Sequence, residues 1–258
     1  VADPLSKSQV EKLGQRLVRS DQPAEADLQV LRQLLLARSE ALETAIGRVR
    51  QELGLAPTSR IKNTGTILEK LRRNGGSGLK SIQDLGGMRI VGSFDRRGQD
   101  EIVQRICELF AGERRVPKVI DRRTAPMHGY TAVHVIVFPD DAPIEVQVRT
   151  AWQHEWAELF EKLADRIGRG IRYGEPPRQW WADEEFGSWG EVRQRLAEIS
   201  YDLRVTMVDL ALSVAEMIDA VEEGQAVDPD NPNLEDYRSR VDQRLAAFRE
   251  LVDRLDDD

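Results

Sequence analysis

Residues 144–150 read I-E-V-Q-V-R-T, and the alternation of apolar and polar residues is strict. A period of two is that of a β-strand, whose successive side chains point to opposite faces of a sheet. Ile144, Val146 and Val148 therefore share one face, and Glu145, Gln147 and Arg149 share the other. The apolar face requires a core to cover it. The polar face lines up an acid, an amide and a cation, which either meet solvent or meet complementary groups from elsewhere in the chain.

The neighbouring sequence supplies a sheet. T-A-V-H-V-I-V-F at 131–138 reads as a second strand, and Pro139-Asp140-Asp141 turns it back, which predicts an antiparallel hairpin. Alternation then puts Tyr130 and His134 on one face of that strand. D-L-G-G-M-R at 84–89 leads from a turn into a strand over about 86–93, followed by a helix over 98–111 and a strand near 115–121. Thr150 opens a helix that runs to about Arg166.

Helical patterns lie on both sides of this block. Residues 5–53 carry a stripe of Leu28, Leu31, Leu35, Leu42, Ile46, Val49 and Leu53, ended by Gly54 and Pro57. Residues 59–73 read as a second helix capped by Ser59. On it Lys62, Thr66, Lys70 and Arg73 fall within roughly 80° of one another, opposite Ile61, Ile67, Leu68 and Leu71. Asn74–Gly78 is a loop, and 168–190 is loop-rich with an aromatic cluster of Trp180, Trp181, Phe186 and Trp189. That cluster either packs internally or meets a partner. A long helix over 191–224 has a stripe from Val192 to Val221, expected to pack on the N-terminal helices in preference to forming an oligomer seam. Asp228–Pro232 breaks it before a last helix over 233–255.

The expected fold is α+β: a mixed β-sheet of about five strands flanked by helices, with N- and C-terminal helical extensions. The expected divisions are N-terminal helices over 1–57, a core over 58–175 and a C-terminal helical extension over 176–258.

Composition narrows the function. The 258 residues, 40% of them hydrophobic, suffice for a sizeable core. A net charge of −8 argues against a general nucleic-acid coat protein but leaves room for a local basic cleft. The single cysteine, Cys107, sits in an apolar-periodic helix, which excludes an intrachain disulfide and fits a reducing, cytoplasmic setting. No run of 18 apolar residues and no charged-then-apolar start is present, so no membrane partner is expected. The three histidines lack zinc-type spacing.

The charged residues form a set. Arg60, Lys62, Lys70 and Arg73 are cations on one predicted helix, Asp84 and Arg89 flank a turn, and Glu145, Gln147 and Arg149 lie along one strand face. Several cations with two separated carboxylates suit a nucleoside triphosphate held through Mg²⁺, which takes one or two carboxylates plus phosphate oxygens. Arginine planes and the Tyr130 ring can stack on purine bases. Neither a P-loop nor a kinase-type glycine loop nor a dinucleotide fingerprint is present.

In these residues the chain resembles the synthetase domain of the RelA/SpoT family. The resemblance rests on R-I-K at 60–62, T-I-L-E-K at 66–70, D-L-G-G-M-R at 84–89, G-Y-T-A-V-H at 129–134 and E-V-Q-V-R-T at 145–150, with H-E-W-A-E at 154–158 and I-R-Y-G at 171–174 following. It implies a pyrophosphokinase with a nucleotidyltransferase-like synthetase fold. Such an enzyme moves the β,γ-pyrophosphate of ATP to a ribose 3′-hydroxyl and releases AMP. By resemblance, Arg60 and Arg89 sandwich the adenine, and Lys62, Lys70 and Arg73 hold the phosphates. Asp84 and Glu145 bind Mg²⁺, with Glu145 also placed to activate the acceptor hydroxyl and Gln147 supporting it. Tyr130 stacks on the acceptor base with His134 nearby, while Arg149 orders the strand and His154 and Glu158 make helix contacts.

Two departures from the family refine this. No histidine here is followed by Asp, so the metal-bound His-Asp pair of the family's hydrolases is missing and no hydrolase activity is expected. The loop before Tyr130 reads V-I-D-R-R-T-A-P-M-H-G-Y, without the lysines usual in housekeeping members, and resembles the toxic small synthetases of toxin–antitoxin and phage-defence systems. That branch implies an acceptor leaning to the 3′-terminal adenosine of tRNA and an antitoxin protein as a possible partner. Arg122 and Arg123, with Arg114, Arg115 and Lys118, either contact such an acceptor end or form a scattered solvated surface. Synthesis of (p)ppGpp or (p)ppApp from purine nucleotides is the alternative, and a catalytically silent binding module the further one. Oligomeric state stays open.

Overall fold

The computed structural model describes residues 5–19, 21–61, 64–73, 78–82, 85–178, 190–223 and 233–255; within these, the side chains of Arg60, Arg73, Ser81, 190–193, 195–196 and 233–235 lie outside the description. The helices are α1 (Lys7–Leu17), α2 (Glu25–Leu53), α3 (Thr64–Arg73), α4 (Arg96–Leu109), α5 (Ala151–Ile167), α6 (Gly190–Glu223) and α7 (Asn233–Arg254). The strands are β1 (Thr58–Ile61), β2 (Gly86–Gly92), β3 (Lys118–Asp121), β4 (Val133–Val137) and β5 (Ile144–Thr150). They form one mixed five-stranded sheet in the order β1-β2-β5-β4-β3, so the α+β class is as expected. By contacts the chain divides into two compact units, Val1–Ile120 with Val133–Arg149, and Asp121–Ala132 with Thr150–Asp258.

In the first unit, β5 lies between β2 and β4 and pairs with β4 antiparallel, with Val135 opposite Val146 and His134 opposite Gln147. Ile144, Val146 and Val148 are fully buried, as are Val135 and Val137 of β4. They pack with Met88 and Ile90 of β2 against Ala41, Leu42, Ala45, Ile46 and Val49 of α2 and Val103 and Ile106 of α4. The predicted hairpin and the predicted apolar face are thus both present. Gln99 of α4, itself buried, donates through Nε2 to the Val148 carbonyl at 2.8 Å and ties that helix to β5. A second cluster joins Val10, Leu13 and Leu17 of α1 to Leu31 and Leu34 of α2 and Ile67 and Leu71 of α3.

Two helical expectations need correction here. The run over 5–53 is two helices, because Pro23 has no N–H to continue a ladder and disfavours helix at the residue before it. Ser6 and Gln9 form a capping box on α1, and Gly54, at φ 67°, closes α2. The helix expected over 59–73 begins only at Thr64. Thr58–Ile61 is instead an edge strand, paired antiparallel with β2 so that Arg60 faces Gly87 and Ile61 faces Gly86. Ile61 packs in the sheet core, apart from the apolar face of α3, because edge pairing overrides helix propensity. The Asn74–Ser77 part of the predicted loop, the aromatic cluster at 180–189 and the break at Asp228–Pro232 lie outside the described residues.

In the second unit, Trp156, Phe160 and Leu163 of α5 pack with Met207, Ala211, Val214, Ile218 and Val221 of α6 and Val241, Leu245 and Phe248 of α7. From Met207 to Val221 the α6 stripe packs with α5 and α7, which corrects the expectation that it packs on the N-terminal helices. Its members Ile199 and Leu203 are 52% and 61% exposed. Thr150 caps α5 in a capping box with Gln153, and both side chains donate to the buried Glu222 carboxylate, Gln153 Nε2 at 2.9 Å. Among the described residues no helix is long and apolar enough to cross a membrane.

Cys107 is half-buried on α4, and burial, with Glu108 beside it, pushes its thiol above the ordinary range. The thiolate is the reactive form, so less of it exists at any given pH than in an unfolded chain. Iodoacetamide should therefore label native protein more slowly than urea-unfolded protein, with the native rate profile displaced to higher pH. Mass spectrometry of the single cysteine reads this directly, and equal rates would show the thiol to be unperturbed.

Candidate active site

The polar face of β5 is not an ordinary solvated strand face. Gln147 Nε2 donates to Glu145 Oε2 at 2.8 Å, and Arg149 Nη2 donates to Gln147 Oε1 at 3.1 Å. From β4, His134 Nδ1 stands 2.8 Å from Glu145 Oε1. A carboxylate only accepts, so Nδ1 carries the hydrogen and the imidazole donates. Residues two apart on one strand face, with His134 directly across the ladder from Gln147 and diagonal to Glu145, meet in this way because of the pleat. The result is a relay in which an arginine orients an amide, the amide orients a carboxylate, and a histidine holds its other oxygen.

Burial sets how much this matters. The His134 and Glu145 side chains are 14% and 12% exposed, and Arg149 is 3% exposed. A carboxylate so shielded needs donors to remain charged, and donors to an ion are the stronger class of hydrogen bond. Glu145 thus has a fixed direction before any ligand arrives. Arg149 reaches the carboxylate's other donor, Gln147.

β2 completes the face. A Cβ built on Gly87 would lie 3.2 Å from the Glu145 carbonyl oxygen and 3.8 Å from its Cβ, so the strand backbone itself fills the space beside Glu145. Alternation places Arg89 on the same face as Gly87. Sequence reasoning named Arg89 but missed Gly87. The D-L-G-G-M-R motif held the signal, since a glycine inside a strand marks a close backbone approach.

The remaining site residues fall as follows. Lys70 is half-buried on α3, whose Ile67 and Leu71 are fully buried. Lys62 and Asp84 lie outside the described residues, and Arg60 and Arg73 are described by backbone alone. The structure therefore assembles His134, Glu145, Gln147 and Arg149 by hydrogen bonds, with Arg89 on their sheet face.

Tyr130, Arg122 and Arg123 belong to the second unit. Tyr130 precedes β4, which starts at Val133, so it does not share a strand face with His134; it lies in a turn closed against Met127 and packs on the α5–α6–α7 core. Arg123 is engaged by Asp121, with Nη2 to Oδ2 at 2.7 Å and Nε to Oδ1 at 2.9 Å, while its backbone N–H also reaches Oδ1. Arg122 is half-buried and donates its backbone N–H to Ala132 O at 3.2 Å. In the first unit, Arg114 and Arg115 both approach Asp141, at 3.4 and 3.8 Å, and Arg115 also covers the Phe138 ring. His154 and Glu158 face each other one helical turn apart at 3.9 Å, consistent with helix contacts. Among the described residues no three His, Cys, Asp or Glu side chains cluster to hold a metal.

Residues 59–164 match the model of the region found in RelA / SpoT proteins. Uncharacterized proteins of Mycobacterium tuberculosis and Mycobacterium bovis are 34% identical over 218 residues, spanning 83% of this chain and 76% of theirs. The chain belongs to the RelA/SpoT family. Among solved structures, the small alarmone synthetase 1 from Bacillus subtilis bound to its product pppGpp is 20% identical, covering 72% of this chain and 98% of that one, with a TM-score of 0.46. The same synthetase bound to AMPCPP is 16% identical, covering 77% of this chain and 98% of that one, with a TM-score of 0.40. Membership supports pyrophosphoryl transfer as the general activity.

Two substitutions test the relay. Gln147→Leu removes the amide that links Arg149 to Glu145; a hydrogen bond to a charged group contributes about 1.5–3 kcal/mol, so turnover should fall roughly 10- to 100-fold with the fold retained. Gly87→Val pushes on the Glu145 backbone and should lower turnover more than it lowers the melting temperature of unligated protein. Steady-state kinetics beside thermal unfolding distinguishes both outcomes from simple destabilisation.

Proposed function

We propose that the protein transfers the β,γ-pyrophosphate of ATP to a ribose 3′-hydroxyl and releases AMP. The observation that carries this reading is the fixed carboxylate of Glu145, oriented by His134 and Gln147 on a sheet face that also bears Arg89. A carboxylate held in place before substrate arrives suits a general base or a metal ligand. Its hard oxygens fit Mg²⁺, which would neutralise charge on the triphosphate when bound. Glu145 would be a ligand from this chain, with Asp84 as the second carboxylate. In this reading Lys62, Lys70 and Arg73 hold phosphates, Arg60 and Arg89 bracket the adenine, and Tyr130 stacks on the acceptor base. His134 and Gln147 keep the Glu145 carboxylate aimed. No hydrolase activity belongs to this reading.

The acceptor is the 3′-terminal adenosine of tRNA, on the resemblance of the Asp121–Tyr130 loop to toxic small synthetases. Growth arrest on expression and neutralisation by an antitoxin protein in the cytoplasm would follow. A purine-nucleotide acceptor, giving (p)ppGpp or (p)ppApp, is the second reading. It is favoured by one observation: Arg123 is engaged by Asp121, and Arg114 and Arg115 share Asp141, so fewer cations face a polyanion than the sequence suggests.

Incubating γ-labelled ATP separately with deacylated tRNA, GDP, GTP, AMP and ATP decides between them. Label on tRNA alone removes the nucleotide reading, and label on a nucleotide alone removes the tRNA reading. No transfer at all, with ATP still bound, would make the protein a silent binding module. Glu145→Gln and Asp84→Asn should each abolish transfer while circular dichroism stays unchanged; wild-type turnover in either would remove that residue from the site.

A further inference from the structure

Two motifs in this chain, H-E-W-A-E at 154–158 and I-R-Y-G at 171–174, have no part in the chemistry above. In the second unit both meet the turn that presents Tyr130. That turn is Met127-His128-Gly129-Tyr130. Tyr130 N–H donates to Met127 O at 3.1 Å and Met127 N–H to Tyr130 O at 3.4 Å, so four residues close on themselves. Both central residues have positive φ, 48° at His128 and 82° at Gly129, as in a type I′ turn. A residue other than glycine is uncommon in that region, although histidine enters it more readily than most, so the turn calls for support from its surroundings.

The support is visible. A Cβ on Gly129 would lie 2.7 Å from Trp156 Cζ2, 2.9 Å from Trp156 Cη2 and 3.0 Å from Ala215 Cβ, so the turn backbone rests directly on the indole and on α6. The indole is itself fixed: it is 2% exposed, donates Nε1–H to Ala211 O at 2.7 Å and stacks on Phe160 with ring centroids 4.8 Å apart. The His128 ring lies on the backbone of Gly174, where a Cβ would fall 2.9 Å from Nε2 and 3.0 Å from Nδ1. Gly174, at φ 79°, ends the 3-10 turn Arg169–Tyr173. Thus the two central residues of the turn are each seated on one of the two motifs.

We propose that Trp156, Ala215 and Gly174 are positioning residues for the acceptor: together they mould the Met127–Tyr130 turn and so set where the Tyr130 ring stands. This rests on Tyr130 being the acceptor platform. It gives the two motifs, and the α6 helix that carries Ala211 and Ala215, a role in acceptor specificity without touching substrate. It also separates the functions of the units. ATP handling depends on the relay of β4 and β5, whereas acceptor presentation depends on the helical seat.

The test is a suppression experiment. Gly174→Ala puts a methyl where the His128 ring lies, and should raise the acceptor KM about tenfold, since small misplacements at a reacting site have effects of that order or more. The KM for ATP should not change. His128→Ala removes the ring, so Gly174→Ala should raise the acceptor KM far less in the His128→Ala background than in wild type; the strain of alanine at a left-handed φ enters both comparisons and cancels. Unchanged acceptor KM in folded Gly174→Ala, or an equal rise in both backgrounds, overturns the proposal. Should Gly174→Ala not fold, Trp156→Phe loses the bond to Ala211 O and must raise the acceptor KM instead; an unchanged value overturns the proposal. If wild-type protein transfers label to no acceptor, the functional reading fails separately. Hydrogen exchange at the Tyr130 amide then decides the positioning claim. It must quicken in Gly174→Ala far more than the same substitution quickens it in the His128→Ala background, and no change sinks it.

Discussion

Everything on the polar face of the central strand depends on how the Glu145 carboxylate is satisfied. An ion shielded from water is unstable unless donors are in place, and a donor that can rotate away is of little use. Here each oxygen has its own donor, and each donor is restrained by the sheet. Gln147 is on the same strand and oriented by Arg149; His134 comes from the hydrogen-bonded neighbour. The geometry of the charge is thus inherited from the geometry of a β-ladder.

That ladder is stiff because of its other face. Ile144, Val146 and Val148 are fully buried beneath α2 and α4, and Gln99 ties α4 to the Val148 carbonyl. A one-residue slip of β5 would send Glu145, Gln147 and Arg149 into the apolar core and the three aliphatic residues out of it. Core packing and site geometry therefore specify the same register. Gly87 tightens this further, since the backbone of β2 sits where any larger residue would press on Glu145.

How legible this was varied with the range of the interaction. The β5 alternation, the β4–β5 hairpin and the Thr150 cap are local patterns, and each could be read from a few residues. The 58–61 segment could not. Its Ile61 falls at helical spacing with Ile67, Leu68 and Leu71, and only pairing with β2, 25 or more residues away, shows it to be a strand. The α6 stripe announced a buried face, yet periodicity does not name a partner, and α5 and α7 supply it. Tyr130 and His134 are four apart, which implies a shared face only if the strand reaches both; β4 begins only at Val133, three residues past Tyr130. Within the site, the charges were legible as residue types. Which of them are already engaged was not, because ion pairs such as Asp121 with Arg123 depend on side-chain placement.

Asp141 has a consequence of its own. It stands at φ 68° in the turn between β4 and β5 and approaches both Arg114 and Arg115. The chain thus carries a built-in counterion for two of its surface cations. A polyanion docking there would displace a tethered carboxylate in place of mobile salt ions. Only released mobile ions enter the salt dependence of binding. The number of arginines at this edge therefore overstates how steeply nucleic-acid affinity would fall with ionic strength, and weak salt sensitivity there would be compatible with real electrostatic contact.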